Sequence, residues 1–366
     1  MDCLSGEIKW PQFIEEHFKN IRAPFAAGME LLPECNFQCI HCYAASERCH
    51  KETSMTTSQI YRILDTLVEH NCITLYFTGG ECLMHKDFFD IYRYAKRKGL
   101  LVSILTNGSL IDRRHIELWT EYPPELVSIS LYGASEDTYY AVTRNRRGYQ
   151  QVLNAISLLK ENGIYYELKI IGMKQNLNDI LTMRDFIRGC GKVNSILAWD
   201  IRPMNNGDKN PIVDCRVTPE QAMEVELRDP ERKAFFDHAA FDEQKKTKTD
   251  RQREGYLYPC EIGRQFVFIT HAGYMQSCVK AVDPRYDLLH GDFDEGWDFL
   301  QREFVDKKAS PNFKCLKCEK LRYCGQCSAA FKSEMGNPEI PVPFYCELGE
   351  LRKQYMDKVA RMKQTC

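Results

Sequence analysis

The sequence has no apolar run approaching the roughly 20 residues needed to span a bilayer, so no membrane partner is expected. Its first ten residues contain Asp2, Glu7 and Lys9 and no apolar stretch. No secretory signal is therefore expected, and the chain reads as cytoplasmic. Basic excess is missing too. Lys+Arg number 49 against 51 Asp+Glu, for a net charge of −2, which argues against a dedicated polyanion binder and predicts no nucleic-acid partner. Low-complexity and collagen-like segments are absent. A hydrophobic fraction of 44% and a charged fraction of 27% exclude wholesale disorder. What is plentiful is cysteine, with 17 in 366 residues. A large chain of the cytosol with that many thiols is expected to bind metal rather than to build a disulfide framework.

The length allows two to three domains, or one large α/β domain with an appendage. In residues 1–27, Trp10, Phe13, Ile14, Phe18 and Ile21 recur at helical spacing and predict a docking segment. From 28 to 205 strands and helices alternate. Strands are expected at 29–32, 73–77, 100–106, 126–131, 165–171 and 195–201. Helices are expected at 58–70, 86–98, 112–121, 149–162 and 178–188. Six βα units with mostly apolar strands predict a parallel sheet, whose ligands bind beyond the carboxyl ends of the strands. Residues 206–255 read as a bridge, with a charge-rich stretch at 237–254 expected to be a solvated helix or a mobile connection. Residues 256–350 are short strand-like pieces rich in Gly and Cys, and 351–366 close the chain as an amphipathic helix.

Cys35, Cys39 and Cys42 carry three and then two intervening residues on one short loop after the first strand. Three thiolates can hold a cubane iron–sulfur cluster with one iron left for an exogenous ligand. A zinc site completed by His41 or Cys49 is the alternative reading of the same spacing. With Tyr43 beside the last cysteine, the segment resembles the radical S-adenosylmethionine (radical SAM) superfamily signature. Thr78-Gly79-Gly80-Glu81 resembles that family's Gly-Gly-Glu motif, which meets the methionine amino group of SAM, although Cys82 stands where Pro is usual. Ser130 resembles the ribose-contacting serine. Leu131-Tyr132-Gly133 replaces the common Leu-Asp-Gly, so an acidic contact is lost there. Arg144 lies where an arginine often meets the SAM carboxylate, in competition with Arg146 and Arg147. The resemblance implies a partial (β/α)6 barrel.

Seven later cysteines form a second set: Cys260, Cys278, Cys315, Cys318, Cys324, Cys327 and Cys346. The two Cys-x-x-Cys pairs alone could be a zinc knuckle, but five residues separate them where about 15–20 is usual. The full order resembles the SPASM domain, a small α+β extension of some radical SAM enzymes with two auxiliary clusters. The resemblance implies that Cys315, Cys318, Cys324 and Cys346 hold the outer cluster, and Cys260, Cys278 and Cys327 the inner one. Seven thiolates leave one iron without a cysteine. That position is either filled, with Cys215 the nearest candidate in sequence, or open to substrate.

The resemblance further implies three 4Fe-4S clusters, bound SAM, and hydrogen abstraction from a peptide or protein side chain. Crosslinking in a ribosomally made peptide is the favoured outcome, and maturation of a small molecule or cofactor the runner-up. A zinc-stabilised scaffold is the non-enzymatic alternative. The sulfatase-maturing branch carries Asp after the inner-cluster cysteine. Here Cys278 is followed by Val279 and Lys280, which disfavours it. Twenty-eight leading residues are too few for a leader-binding domain, so a separate leader-binding protein is expected. An electron donor such as flavodoxin or ferredoxin is implied as well.

Overall fold

The computed structural model describes residues 21–45, 53–191, 193–239, 254–260, 263–325 and 327–364. The expected N-terminal docking helix, apart from Ile21, and residues 240–253 of the charge-rich stretch lie outside them.

Six parallel strands carry the frame: β1 (Ala26–Glu30), β2 (Thr74–Thr78), β3 (Leu101–Thr106), β4 (Leu126–Leu131), β5 (Tyr166–Ile171) and β6 (Asn194–Ala198). Each pairs with the next in order. The crossovers are helical: α1 (Thr57–Glu69), α2 (Phe88–Arg97), α3 (Arg113–Glu121), α4 (Glu136–Thr143), α5 (Gly148–Glu161) and α6 (Ile180–Gly189). Local signals set their ends. Thr56 and Gln59 form a reciprocal capping box at α1, and Asp112 accepts from the first-turn amides of α3. On α1, Ile60, Ile63, Leu64 and Leu67 are buried, each contributing roughly 1.5–3 kcal/mol.

Two departures from the sequence reading have clear causes. The first strand lies earlier than 29–32. Pro33 restricts Leu32 and ends the strand, while Ala26 gains a partner by donating to the Gln265 carbonyl at 2.9 Å. The short α4 was not expected; Ser135 caps it and Arg144 closes it in the left-handed conformation.

The sheet does not stop at β1. Strand β7 (Phe266–Ile269) pairs in parallel with β1, and β8 (Tyr274–Gln276) and β9 (Tyr286–Asp287) extend it antiparallel, giving nine strands. The expected small domain at 256–350 thus shares a backbone ladder with the barrel. The bridge at 206–255 also contains more structure than a link: α7 (Asn210–Cys215), α8 (Pro219–Arg228) and α9 (Pro230–Ala239). Helices α10 (Phe293–Leu300), α11 (Ser328–Met335) and α12 (Pro343–Gln364) follow among the described residues. α12 begins before residue 351 and carries Cys346 in its first turn. None of the described helices is long and apolar enough to cross a membrane.

Candidate active site and cysteine clusters

The loop bearing Cys35, Cys39 and Cys42 leaves the carboxyl end of β1 and is braced from two sides. On one side stands the turn after β2. The Gly80 amide donates to the Leu32 carbonyl and the Glu81 amide to the Glu34 carbonyl, both at 2.8 Å. Only glycine fits there. A Cβ on Gly80 would lie 2.1 Å from the Glu34 oxygen, and one on Gly79, at φ +148°, 2.5 Å from the Leu32 oxygen. On the other side stands the end of α4. Gln38 and Ile40 donate to the carbonyls of Thr143 and Val142, both at 3.0 Å.

Glu81 is buried, and both oxygens of its carboxylate accept hydrogen bonds from its own chain. Oε1 accepts from Thr106 Oγ1 at 2.7 Å and from the Leu83 amide at 3.1 Å, while Oε2 accepts from the Asn107 amide at 2.7 Å. Burial pushes its pKa up, and these donors oppose the shift. Glu81 therefore stitches the end of β2 to the end of β3. Asn107, held this way, passes the order on. Its side-chain amide donates to Asn36 Oδ1 at 2.8 Å and approaches Cys35 Sγ at 3.8 Å, while Asn36 donates to Ser109 Oγ at 2.8 Å. Asn107 and Asn36 were not singled out from the sequence. Asn107 was visible only as a strand-end Asn-Gly break, and Asn36 only as a filler within the cysteine motif.

Ser130, near the end of β4, is half-buried and hydrogen-bonds Tyr132. Burial first, then the nearby Cys39, pushes the phenols of Tyr132 and Tyr139 up. The tilted pair of His41 and Tyr132, 5.1 Å between centroids, packs the loop over β4. Burial pulls the His41 imidazole down to about 4. Arg144 is exposed at the end of α4, and its charge reaches Cys215. Arg146 lies over the Tyr140 ring at 4.3 Å. The structure thus gathers Cys35, Cys39, Cys42, Gly79, Gly80, Glu81 and Ser130 at the carboxyl ends of β1, β2 and β4, with Arg144 at the rim.

The later cysteines separate into two neighbourhoods. Burial pushes the Cys315 thiol up to about 12, helped by Cys324, Cys346 and Cys318. Gly349 on α12 admits Cys324 closely, since a Cβ there would meet the Cys324 Cβ at 2.8 Å. Elsewhere, Tyr258 is pushed up to about 12 by burial and then by Cys327, Cys278 and Cys260. Burial, then Cys327, also raises the Cys278 thiol. Among the described residues, Cys278, Cys315, Cys318, Cys327 and Cys346 form no disulfides. Among the described residues, no three or more His, Cys, Asp or Glu side chains converge as a single-ion site would require. Cys215 is buried at the end of α7, where Asp214, Lys174 and Arg144 act on it rather than Cys260, Cys278 or Cys327.

Tyr76 on β2 joins the two regions and was also not legible from sequence. Its ring occupies the space that Gly28 leaves by lacking a Cβ, which would fall 2.3 Å from the ring. Burial raises the Tyr76 phenol, and Tyr43, Cys278 and Glu30 add to the shift.

Among curated proteins, the Fe-coproporphyrin III synthase of Methanosarcina barkeri is 31% identical over 153 residues, 42% of this chain and 38% of that protein. The antilisterial bacteriocin subtilosin biosynthesis protein AlbA of Bacillus subtilis is 28% identical over 169 residues, 46% of this chain and 38% of that protein. Each match thus spans well under two thirds of the relative. An AdoMet-dependent heme synthase of Nitratidesulfovibrio vulgaris is 23% identical over 320 residues, 82% of this chain and 86% of that protein. Two solved structures share the fold at low identity. Streptococcus suis SuiB bound to precursor peptide SuiA superposes with a TM-score of 0.67 at 15% identity, covering 90% of this chain and 76% of that one. Native anSMEcpe with bound AdoMet and Cp18Cys peptide gives 0.63 at 16% identity, covering 92% and 99%. Residues 29–187 match the family model described as the Radical SAM superfamily, across the span that carries the braced three-cysteine loop and its parallel sheet. Residues 29–187 therefore carry a radical SAM domain.

Proposed function

We propose that the protein is a radical SAM enzyme that abstracts hydrogen from a residue of a peptide or protein substrate, installing a crosslink or another modification. The observation that carries the reading is the cysteine loop itself. Three thiols stand on one segment, held against two glycines whose missing Cβ atoms leave the backbone bare. Cys35, Cys39 and Cys42 would hold one 4Fe-4S cluster. When bound, that cluster supplies the electron that splits SAM into methionine and a 5′-deoxyadenosyl radical, which takes hydrogen from an unactivated C–H bond. The chain's own part is binding and orientation. The Gly79-Gly80 turn would meet the methionine amino group, Ser130 the ribose, and Arg144 the carboxylate. Glu81 would line the same SAM pocket, and it also fixes Asn107 and the loop.

In the same reading, Cys315, Cys318, Cys324 and Cys346 hold an outer auxiliary cluster, and Cys260, Cys278 and Cys327 an inner one with an open iron. The grouping of the thiols supports this assignment. Peptide substrates fit the likeness to the subtilosin biosynthesis protein and to peptide-bound SuiB and anSMEcpe. A separate leader-binding protein, an electron donor such as flavodoxin or ferredoxin, and a cytoplasmic location complete the proposal. A second reading, maturation of a small molecule such as a tetrapyrrole, is favoured by the heme synthase that aligns over 82% of this chain.

Anaerobic purification with iron and sulfide analysis, followed by SAM and a reductant, tests the proposal. Three cubanes require about twelve iron per chain, and 5′-deoxyadenosine must form. Zinc without sulfide would establish the scaffold alternative instead. Mass spectrometry of peptides co-expressed from the neighbouring genome region, set against tetrapyrroles, separates the two substrate classes.

A further inference from the structure

Arg202 lies just beyond β6 and is only 5% exposed. Its guanidinium stacks on the Tyr43 ring, 3.6 Å from the centroid. Its Nη1 donates to the Val279 carbonyl at 3.0 Å. Tyr43 directly follows Cys42, and Val279 directly follows Cys278. One side chain therefore touches both cysteine segments. Its Nη2 is buried without a hydrogen-bond partner among the described residues. The neighbouring carboxylate, Asp200, feels the Arg202 charge, but its hydrogen bonds go to Lys280 Nζ at 2.6 Å and the Tyr345 hydroxyl at 3.0 Å.

A guanidinium stays charged at any working pH, and a buried charge needs a partner. Arg202 satisfies one N–H edge on a carbonyl and one face on an aromatic ring, and leaves Nη2 over. The carbonyl that Nη1 holds belongs to the residue after Cys278, so the guanidinium lies against that cysteine's segment. An iron–sulfur cluster bound by thiolates is anionic and rich in sulfur acceptors. Net charge and hydrogen bonds to the sulfurs are two of the terms that set its potential.

We infer that Arg202 is a positioning residue linking the two metal centres: its Nη2 is completed by the inner cluster on Cys260, Cys278 and Cys327, and its charge holds that cluster at a higher reduction potential. The inference rests on the proposed assignment of those three cysteines as cluster ligands. The stack on Tyr43 fixes the plane of the guanidinium, so a lysine at 202 keeps the charge but loses both the fork and the stack.

The test uses full-length, anaerobically reconstituted wild-type, Arg202→Lys and Arg202→Gln proteins. Iron and sulfide are counted first, and the clusters are then titrated electrochemically with detection by electron paramagnetic resonance. In Arg202→Gln one auxiliary signal is expected to move to lower potential. The signal that vanishes in the Cys35, Cys39 and Cys42 triple alanine variant should stay in place. Arg202→Lys should fall between wild type and Arg202→Gln. Equal potentials in fully loaded wild type and Arg202→Gln overturn the inference. If Arg202→Gln does not hold its iron, Arg202→Lys decides: a lowered potential supports the inference and an unmoved one overturns it. Wild-type iron sufficient for one cluster only would overturn the ligand assignment and, with it, this inference. The iron count tells that failure apart from a failure of the inference alone before any potential is measured.

Discussion

Replacing Gly80 by alanine tests the idea that the strand-end turn builds the cysteine loop as well as a SAM surface. The new Cβ would sit 2.1 Å from the Glu34 oxygen, 2.4 Å from the Pro33 oxygen and 2.5 Å from the Glu34 carbonyl carbon. All three are backbone atoms, so no rotamer relieves the clash. Ordinary contact between heavy atoms is about 3.5–4 Å, so the loop must recede by at least roughly 1 Å. That shift breaks the two 2.8 Å bonds from Gly80 and Glu81 to Leu32 and Glu34. Each is worth about 1 kcal/mol net, and overpacking adds about 1–3 kcal/mol, for a total of about 3–5 kcal/mol. Cys35 directly follows the displaced residues, so the loss falls on cluster loading. Iron after anaerobic reconstitution should drop by about one cubane, and 5′-deoxyadenosine formation should fall with it. Gly189→Ala is the control, because nothing lies within 4 Å of its Cβ and the residue is exposed at the end of α6. It should keep full iron and melt no lower than wild type. A Gly80→Ala protein with wild-type iron and thermal stability would refute the reasoning.

Alanine at Cys35, Cys39 and Cys42 together should abolish 5′-deoxyadenosine formation while about eight iron remain; product from that variant, measured by chromatography, would overturn the ligand assignment. Gly28→Ala should destabilise by about 1–3 kcal/mol, because the Cβ strikes the Tyr76 ring at 2.3 Å. Tyr76→Ala should rescue part of that loss in a double-mutant cycle by chemical denaturation, and simple additivity would contradict the contact. Glu226 is fully buried and binds Arg352 Nη2 at 2.5 Å, Arg232 Nη2 at 2.8 Å and Trp199 Nε1 at 3.1 Å. Burial pushes its pKa up, but the two arginines outweigh it and the net shift is downward. Its stabilisation is therefore full above the unfolded value of about 4.3 and is lost as pH falls below it. Glu226→Gln should cost about 3–5 kcal/mol in denaturation at pH 7, and the gap to wild type should narrow below about pH 4; a constant gap would contradict the ionised pairing.

The parallel frame was legible because its signals are local. Strands such as β3 and β4 are short apolar runs closed by Asn107-Gly108 and Gly133, and the helices between them carry one buried stripe each. Where the signal is not local the reading stopped short. The pairing of β1 with β7 joins residues more than two hundred positions apart through four register pairs, with Phe266–Ile269 too short to announce its partner. The helices at 210–239 lie in the stretch that reads from sequence only as a bridge. Their stability comes from packing and ion pairs, among them Arg184 with Asp229 and Glu231, Arg216 with Glu334, and Arg352 with Glu226.

The cysteines show the same limit at finer grain. Read by spacing, Cys324-x-x-Cys327 is one chelating pair. In the fold it is divided, since Cys324 acts on Cys315 and Cys327 acts on Cys278 and Tyr258. The division has a backbone cause. Cys327 is extended, at φ −149° and ψ 104°, and caps α11, its sulfur accepting from the Ala330 amide at 3.5 Å. Cys324 instead packs against Gly349 of α12, the helix that brings Cys346. Cys327 thus caps one helix while Cys324 packs against another, and the two thiols of one short motif fall in different neighbourhoods. No count of intervening residues contains that information, because it lies in where α11 and α12 pack. The order of all seven cysteines carries it only through resemblance to chains that fold the same way. The same argument explains Arg202. Its meaning depends on Tyr43 and Val279 both reaching its guanidinium, and nothing near residue 202 in the sequence announces either partner.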